Sequence, residues 1–257
     1  MRFFWDNFID HSAVNISATT EEAKLPVANL QHAHKKKLYR TTGAGTSETV
    51  LVDLGSAKAI DGSVFLNHTF DGSESAINIE GNASDSWGSP SFSEAVVMSG
   101  ADPSANKFSS AQTFQWWRFE FTKASAANVR DIGRMFLGDV FDTAINPSSN
   151  GFDDEAKEMS QEQRSIDGQT YSYIKDGFLK IRVSFSAMSL ADAKQLKTIF
   201  DAVGSHTPLF IQVDPTASDG IREVIHYVKF SKALKRKVHS FDSELKWDIN
   251  LEFEEQL

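Results

Sequence analysis

The stretch Phe241-Asp242-Ser243-Glu244-Leu245-Lys246-Trp247-Asp248-Ile249-Asn250-Leu251-Glu252-Phe253-Glu254 decides most about how this chain folds. Phe241, Leu245, Trp247, Ile249, Leu251 and Phe253 fall on odd positions, and only Ser243 breaks the set. Every even position is polar, with five acids and Lys246 among them. Successive side chains of a β-strand point to opposite faces, so the alternation predicts one long half-buried strand. From Phe241 to Phe253 it would run roughly 43 Å at about 3.3 Å per residue. Such a strand near a chain end presents an edge. The acids on its even face either blunt that edge or meet a neighbouring subunit, and a ring assembly favours the second.

Working back from it, Ile181, Val183 and Phe185 alternate with Lys180, Arg182 and Ser184 in a second half-buried strand. Ser189 is a candidate helix N-cap, with Asp192 three residues on in a weak capping-box arrangement. Leu190, Ala193, Leu196, Ile199, Phe200 and Val203 follow at helical spacing, and Gly204 stops the helix. Leu209 to Val213 and Glu223 to Phe230 complete a β-α-β-β-β order over residues 168–257. Between 143 and 167 the sequence reads as a polar linker. Pro147-Ser148-Ser149-Asn150-Gly151 is turn chemistry, and the run Asp153 to Arg164 suits a solvated helix or an extended arm.

Residues 1–142 are rich in Ser, Ala, Gly and Asn, with short apolar runs between turns. Strands are predicted at Thr49 to Gly55, the last residue a turn, Ser63 to Asn67, Ala76 to Gly81, Trp116 to Phe121 and Asp131 to Gly138. Many short strands separated by turn signals predict a sandwich or jelly roll. The fold class is therefore mainly β, in two parts, with one helix.

Composition narrows the function. The 257 residues are 40% hydrophobic, enough for a core, and contain no cysteine. That excludes disulfides, thiolate-bound metals and thiol nucleophiles. A net charge of −9 argues against work that neutralises phosphates, so sequence-specific nucleic-acid binding is not expected. No apolar run is long enough for a membrane span, and the N-terminus has no apolar core of a secretory signal.

Catalytic signals are weak throughout. His32 and His34, with His11 as a third, could ligate a metal, but Lys35-Lys36-Lys37 alongside would repel a cation. A surface loop is the simpler reading. Asp153-Asp154-Glu155 lacks the alternating ligands of a calcium loop, and Gly43-Ala44-Gly45 lacks the lysine and spacing of a phosphate loop. No Ser/His/acid set stands at a recognisable spacing. Neither an enzyme nor a cofactor is expected. The clearest cluster is basic: Lys229, Lys232, Lys235, Arg236 and Lys237 sit between two predicted strands. It is either a solvated hairpin loop or a contact for an acidic neighbour. For the second reading, Lys232, Lys235, Arg236 and Lys237 would face Asp242, Glu244, Asp248 and Glu252 of the next subunit.

Four pieces of the first block, in order, resemble discoidin-like (galactose-binding-like) jelly rolls. Leu25 to Leu30 is similar to the family's entry loop, and Asp53-Leu54-Gly55 to the end of its first long strand. Trp116-Trp117-Arg118-Phe119 is similar to its Trp-Arg strand, and Ile132 to Gly138 to its closing strand. The resemblance implies a glycan-touching module. A second resemblance covers the whole chain: a jelly roll, a linker and a one-helix module look like tail-tip or baseplate (distal-tail-like) proteins of long-tailed bacteriophages. There the C-terminal module is similar to a split-barrel ring unit, although the usual order of the two parts is reversed.

That resemblance implies a non-enzymatic structural protein of the virion, assembled in the host cytoplasm. It would form a homo-oligomeric ring, a hexamer, around the tail axis. Its partners would be tube, hub and tape-measure proteins, with a host-surface glycan as a further ligand. The alternative expectation is a non-catalytic carbohydrate-binding module that acts in attachment to surface glycans.

Overall fold

The computed structural model describes residues 1–70, 75–96, 103–125, 128–147, 151–173, 176–217, 224–240 and 245–256. The protein is mainly β with one α-helix among the described residues. It divides into two compact units, Phe3–Phe141 and Asp142–Leu257, the second joined by Met1–Arg2.

The first unit contains β1 (Arg2–Asn7, from Phe3 on), β2 (Asn15–Ala18), β3 (Tyr39–Arg40), β4 (Ser47–His68), β5 (Ser75–Asn82), β6 (Phe92–Ala95), β7 (Ser104–Lys123) and β8 (Asp131–Asp142, up to Phe141). Strands β4 and β7 are long because each runs through both layers of a sandwich. In one layer the first half of β4 pairs with the second half of β7, Val50 opposite Phe119 and Val52 opposite Trp117. β5 flanks β7 on the far side, with Ile77 opposite Phe121 and Ile79 opposite Phe119. In the other layer the second half of β4 pairs with β8, Val64 opposite Phe136.

The pairing of β4 with β7 breaks between Asp53 and Lys58. Gly55 lies in that break at φ +72, a value that suits glycine, and its N–H donates to Asp53 Oδ1 at 2.8 Å. The predicted turn is therefore a corner within one strand, where the chain changes layer. Period-two alternation places Val50, Val52, Ile77, Ile79, Trp117, Phe119 and Phe121 in the core, all fully buried. Rings from the two layers meet there: Phe65 and Phe119 lie 5.6 Å apart, edge to face.

One ion pair of this unit is buried on both sides. The Lys123 ammonium, with a fully buried side chain, donates to Glu48 Oε2 at 2.5 Å. Burial pushes the Glu48 carboxyl up, but hydrogen bonds from Lys123, Thr20 and Thr41 outweigh it and hold it below the usual range.

The second unit contains β9 (Phe152–Lys157), β10 (Gln161–Arg164), β11 (Thr170–Tyr173), β12 (Phe178–Met188), α1 (Leu190–Val203), β13 (Leu209–Gln212), β14 (Ile225–Phe230), β15 (Lys235–Ser240) and β16 (Lys246–Glu255). Its sheet runs β13-β14-β16-β12-β9, with β15 also on β16. The apolar face carries Ile181, Val183, Phe185, Ile249, Leu251 and Phe253, all buried. Helix α1 belongs to the same core: its Phe200 meets Phe230 of β14 edge to face at 5.2 Å. Ser189 caps α1 as expected, its hydroxyl accepting from the Asp192 N–H at 3.1 Å. Asp192 does not close a capping box. Its carboxylate accepts from the Ala144 N–H at 2.9 Å instead.

Three sequence expectations need correction. The polar run after Gly151 is not a solvated helix but extended, and its first part is not free. Phe152–Lys157 is β9, antiparallel to β12, and Gln161–Arg164 is β10, paired with β11. Its acids made it look solvated, but Arg182 of β12 binds both Asp153 (2.9 Å) and Glu155 (3.1 Å). The basic stretch is not only a loop, since Lys235–Ser240 forms β15. The final strand is not an edge, because β12 pairs on one side of β16 and β14 and β15 pair on the other. The order after β12 is thus one helix and four strands. The expected start of the final strand at Phe241–Glu244, and of β14 at Glu223, lies outside the described residues.

Removing one member of the buried pair should expose its cost. Lys123→Met should lower unfolding stability by about 3–5 kcal/mol, because Glu48 would be buried without its cation. Adding Glu48→Gln should recover much of that loss in urea denaturation. Equal destabilisation by the single and double variants would contradict the pairing role.

Candidate functional site

A cavity of about 250 Å³ opens at the sandwich corner, lined by Phe8, His11, Val14, Leu54, Ser56 and Lys58, with Ala13 and Gly55. Backbone pairing builds it. β2 lies antiparallel on β4, with Asn15 opposite Asp53, so the turn before β2 lands beside the Gly55 corner. That turn begins with a short 3-10 helix at Phe8–Asp10 and closes with the Val14 N–H donating to His11 O at 3.0 Å.

The turn is tied down from below. Arg134 of β8 is 1% exposed, and its guanidinium binds both oxygens of Asp10. The same group donates to Leu30 O (3.0 Å) and His32 O (3.3 Å) at the end of a second 3-10 segment, Val27–Gln31. Gln31 Nε2 adds bonds to Ile9 O (3.0 Å) and Val14 O (3.2 Å). On the opposite wall, Asp53 Oδ1 accepts from Gly55 N–H and from Gln115 Nε2 at 2.9 Å. Both walls of the cavity are therefore fixed by polar bonds, buried or part-buried beneath the turn and part-buried to exposed at the corner.

Within the cavity the Phe8 and His11 rings meet edge to face, centroids 5.1 Å apart. His11 Nε2 lies 3.0 Å from Asp6 Oδ1. The site thus combines a half-buried aromatic surface with an imidazole, a hydroxyl and an ammonium, which is chemistry suited to a small polar ring with apolar C–H faces. Nearby, burial pushes the Asp139 carboxyl up to about 6, helped by the negative charges of Asp6 and Asp61.

The described residues singled out from sequence lie elsewhere, in the second unit, all on its polar face except Arg236, which lies opposite Ile249 on the helix side. Glu252 accepts from Lys232 at 2.7 Å and lies 3.4 Å from Lys180. Asp248 accepts from the Ala187 N–H (3.2 Å) and pairs with His239 (2.9 Å). Both carboxyls sit below their usual range, Glu252 chiefly through Lys232 and Asp248 chiefly through that backbone bond. Arg236 lies 5.5 Å over the Trp247 ring and donates to Ala193 O at 3.4 Å. Lys235 and Lys237 are exposed on β15. Asp242 and Glu244 lie outside the described residues. The complementarity expected between subunits is thus largely met inside one chain, because β16 is flanked by basic strands.

Phe8, Ser56 and Lys58 were not visible as site residues. They are separated in sequence by the whole of β2 and β3, and only the β2–β4 register joins them. His11 was legible only as a candidate ligand. Among the described residues no cluster of three His, Asp or Glu side chains is placed to hold a metal ion. No helix among them is long and apolar enough to cross a membrane.

No family model matches the chain, and no curated protein matches it. Among solved structures, the family 32 carbohydrate-binding module of Clostridium perfringens NanJ, in complex with galactose, is similar at 12% identity and a TM-score of 0.42. The match covers 55% of this chain and 100% of that one. A Streptococcus pneumoniae fucose-binding module is similar at 8% identity and a TM-score of 0.42, over 52% of this chain and 95% of that one. A Ruminococcus gnavus fucosidase in complex with fucose is similar at 11% identity and a TM-score of 0.44, over 53% of this chain and 27% of that one.

The raised Asp139 carboxyl fixes a pH dependence. The folded state holds its proton up to about pH 6, whereas the unfolded chain releases it near the ordinary 3.8. Stability contributed by this group is therefore full below about pH 4 and falls as pH rises through 6. Asp139→Asn should raise the melting temperature at pH 7–8, by an amount equivalent to about 1 kcal/mol after allowance for partial exposure. The gain should vanish at pH 4. A gain that is the same at both pH values would contradict the assignment.

Proposed function

We propose that the first unit is a discoidin-like, non-catalytic glycan-binding module, and that the cavity at the Gly55 corner is its sugar site. The observation that carries this is the juxtaposition of Phe8 with His11, Ser56 and Lys58 in one rigidly braced depression. A sugar presents apolar C–H groups on one face and hydroxyls at its rim. The Phe8 ring offers the first a surface. The Lys58 ammonium and Ser56 hydroxyl offer the second donors, and the His11–Asp6 pair holds the imidazole in position. The sequence resemblance to galactose-binding-like jelly rolls supports the same reading. Binding of a single sugar in so open a site is expected to be weak, so attachment would depend on several copies acting together.

A second reading, the ring-forming tail-tip component, concerns the other unit. What favours assembly there is a pair of outer strands of opposite charge, β9 and β15.

Titration of the full chain with galactose and with fucose, followed by NMR or calorimetry, tests the sugar site. Phe8→Ala should weaken binding about tenfold or more, and Lys58→Ala by several-fold. His34→Ala, in an exposed loop away from the cavity, should leave it unchanged. Binding that survives Phe8→Ala at full strength would place the sugar elsewhere, and a chain that takes up neither sugar nor any glycan on an array would remove the reading.

A further inference from the structure

The polar face of the second unit carries charge in columns, each dominated by one sign, with Lys157 on β9 and Lys246 on β16 as the exceptions. β9 is acidic, with Asp153 and Glu155. β12 is basic, with Lys180 and Arg182. β16 is acidic, with Asp248, Glu252 and Glu254. β15 is basic, with Lys235 and Lys237. The registers align them: Asp153 opposite Arg182, Arg182 opposite Glu252, and Lys237 opposite Asp248. Cross-strand neighbours of opposite sign stabilise a sheet, and like signs directly opposite destabilise it. Inside the chain every such neighbour is complementary.

The two ends of this row differ. Among the described residues β9 pairs only with β12 and β15 only with β16. β15 ends the row on a basic strand, and β9 ends it on an acidic one. Asp154, Lys235 and Lys237 are exposed and have no ion pair among the described residues. An open strand edge offers a row of unpaired N–H and C=O groups to another strand.

We propose that β15 of one copy pairs antiparallel with β9 of a second copy of this chain, extending the row without breaking its alternation. The strand directions agree. β9, β12, β16 and β15 are successively antiparallel, so β9 of a following copy meets β15 antiparallel as well. In that register Lys235, Arg236 and Lys237 lie opposite Glu155, Asp154 and Asp153 of the neighbour. Three basic residues then face three acidic ones, on both faces of the sheet. Pairing of β9 with β9, or of β15 with β15, would place like charges opposite and is disfavoured by the same rule. The contact is head to tail. It generates a ring if the rotation closes and a filament if it does not. It is independent of the sugar site, and its failure would leave that reading untouched.

Sedimentation of the full chain against concentration and salt tests the proposal. The wild-type chain should self-associate, and the association should weaken with added salt. Lys235→Glu with Lys237→Glu should weaken it about tenfold or more, as should Asp153→Lys with Glu155→Lys. Mixing the two double variants should restore assembly, because each then offers the other complementary edges. Hydrogen exchange should show β9 and β15 amides gaining protection only in the assembled form, and circular dichroism of each variant checks that it is folded. A wild-type chain that stays monomeric up to about 1 mM overturns the proposal. So does a basic-edge variant that assembles like the wild type, or a mixture of two folded variants that fails to assemble.

Discussion

The loops of the first unit depend on one buried guanidinium. Arg134 donates to the Asp10 carboxylate and to the carbonyls of Leu30 and His32, all three partners lying more than a hundred residues away in sequence. A planar fork of five donors can bind both oxygens of a carboxylate and two carbonyls at once, one acceptor more than the three N–H groups of an ammonium can each serve singly. Without it, the Phe8–Val14 turn would keep only its own short-range bonds and those of Gln31. Gly138, four residues further along β8, shows how tightly β1 is seated: a Cβ there would lie 1.7 Å from Asp6 O. The cavity wall is thus held by β8, a strand that supplies none of its lining residues.

The second unit follows from a simpler constraint. A strand has two faces, and β16 uses them for opposite purposes. Its odd residues Ile249, Leu251 and Phe253 build the core, while Asp248, Glu252 and Glu254 stand between basic strands. Exposed pairs of this kind add little stability each. Their value lies in register: a slip by one residue would bury the acids and expose the core.

Legibility in the sequence tracked the range of the interaction. The alternation around Ile181 and Leu251, the Ser189 cap and the buried row Trp117, Phe119 and Phe121 were readable because each depends on residues a few positions apart. The run Asp153–Lys157 misled because its composition is that of a linker, and Arg182, which neutralises it, lies 27 to 29 residues away. The final strand looked like an edge because no local signal tells which strands flank it. Phe8 and Lys58 gave no signal at all, since a lone aromatic and a lone lysine are ordinary surface residues until a register sets them side by side.

The sequence by itself determined that the chain is mainly β, where most strands run, which of their faces are apolar, and that one capped helix interrupts them. Those properties follow from the two-residue and 3.6-residue periods of side-chain direction, which are local. Only the tertiary structure decided which strands are neighbours, which charges are already paired, and which residues meet at the Gly55 corner. Pairing is a long-range choice among many strands of similar pattern. Its outcome depends on how whole faces pack and how columns of charge align, and no single segment carries that information.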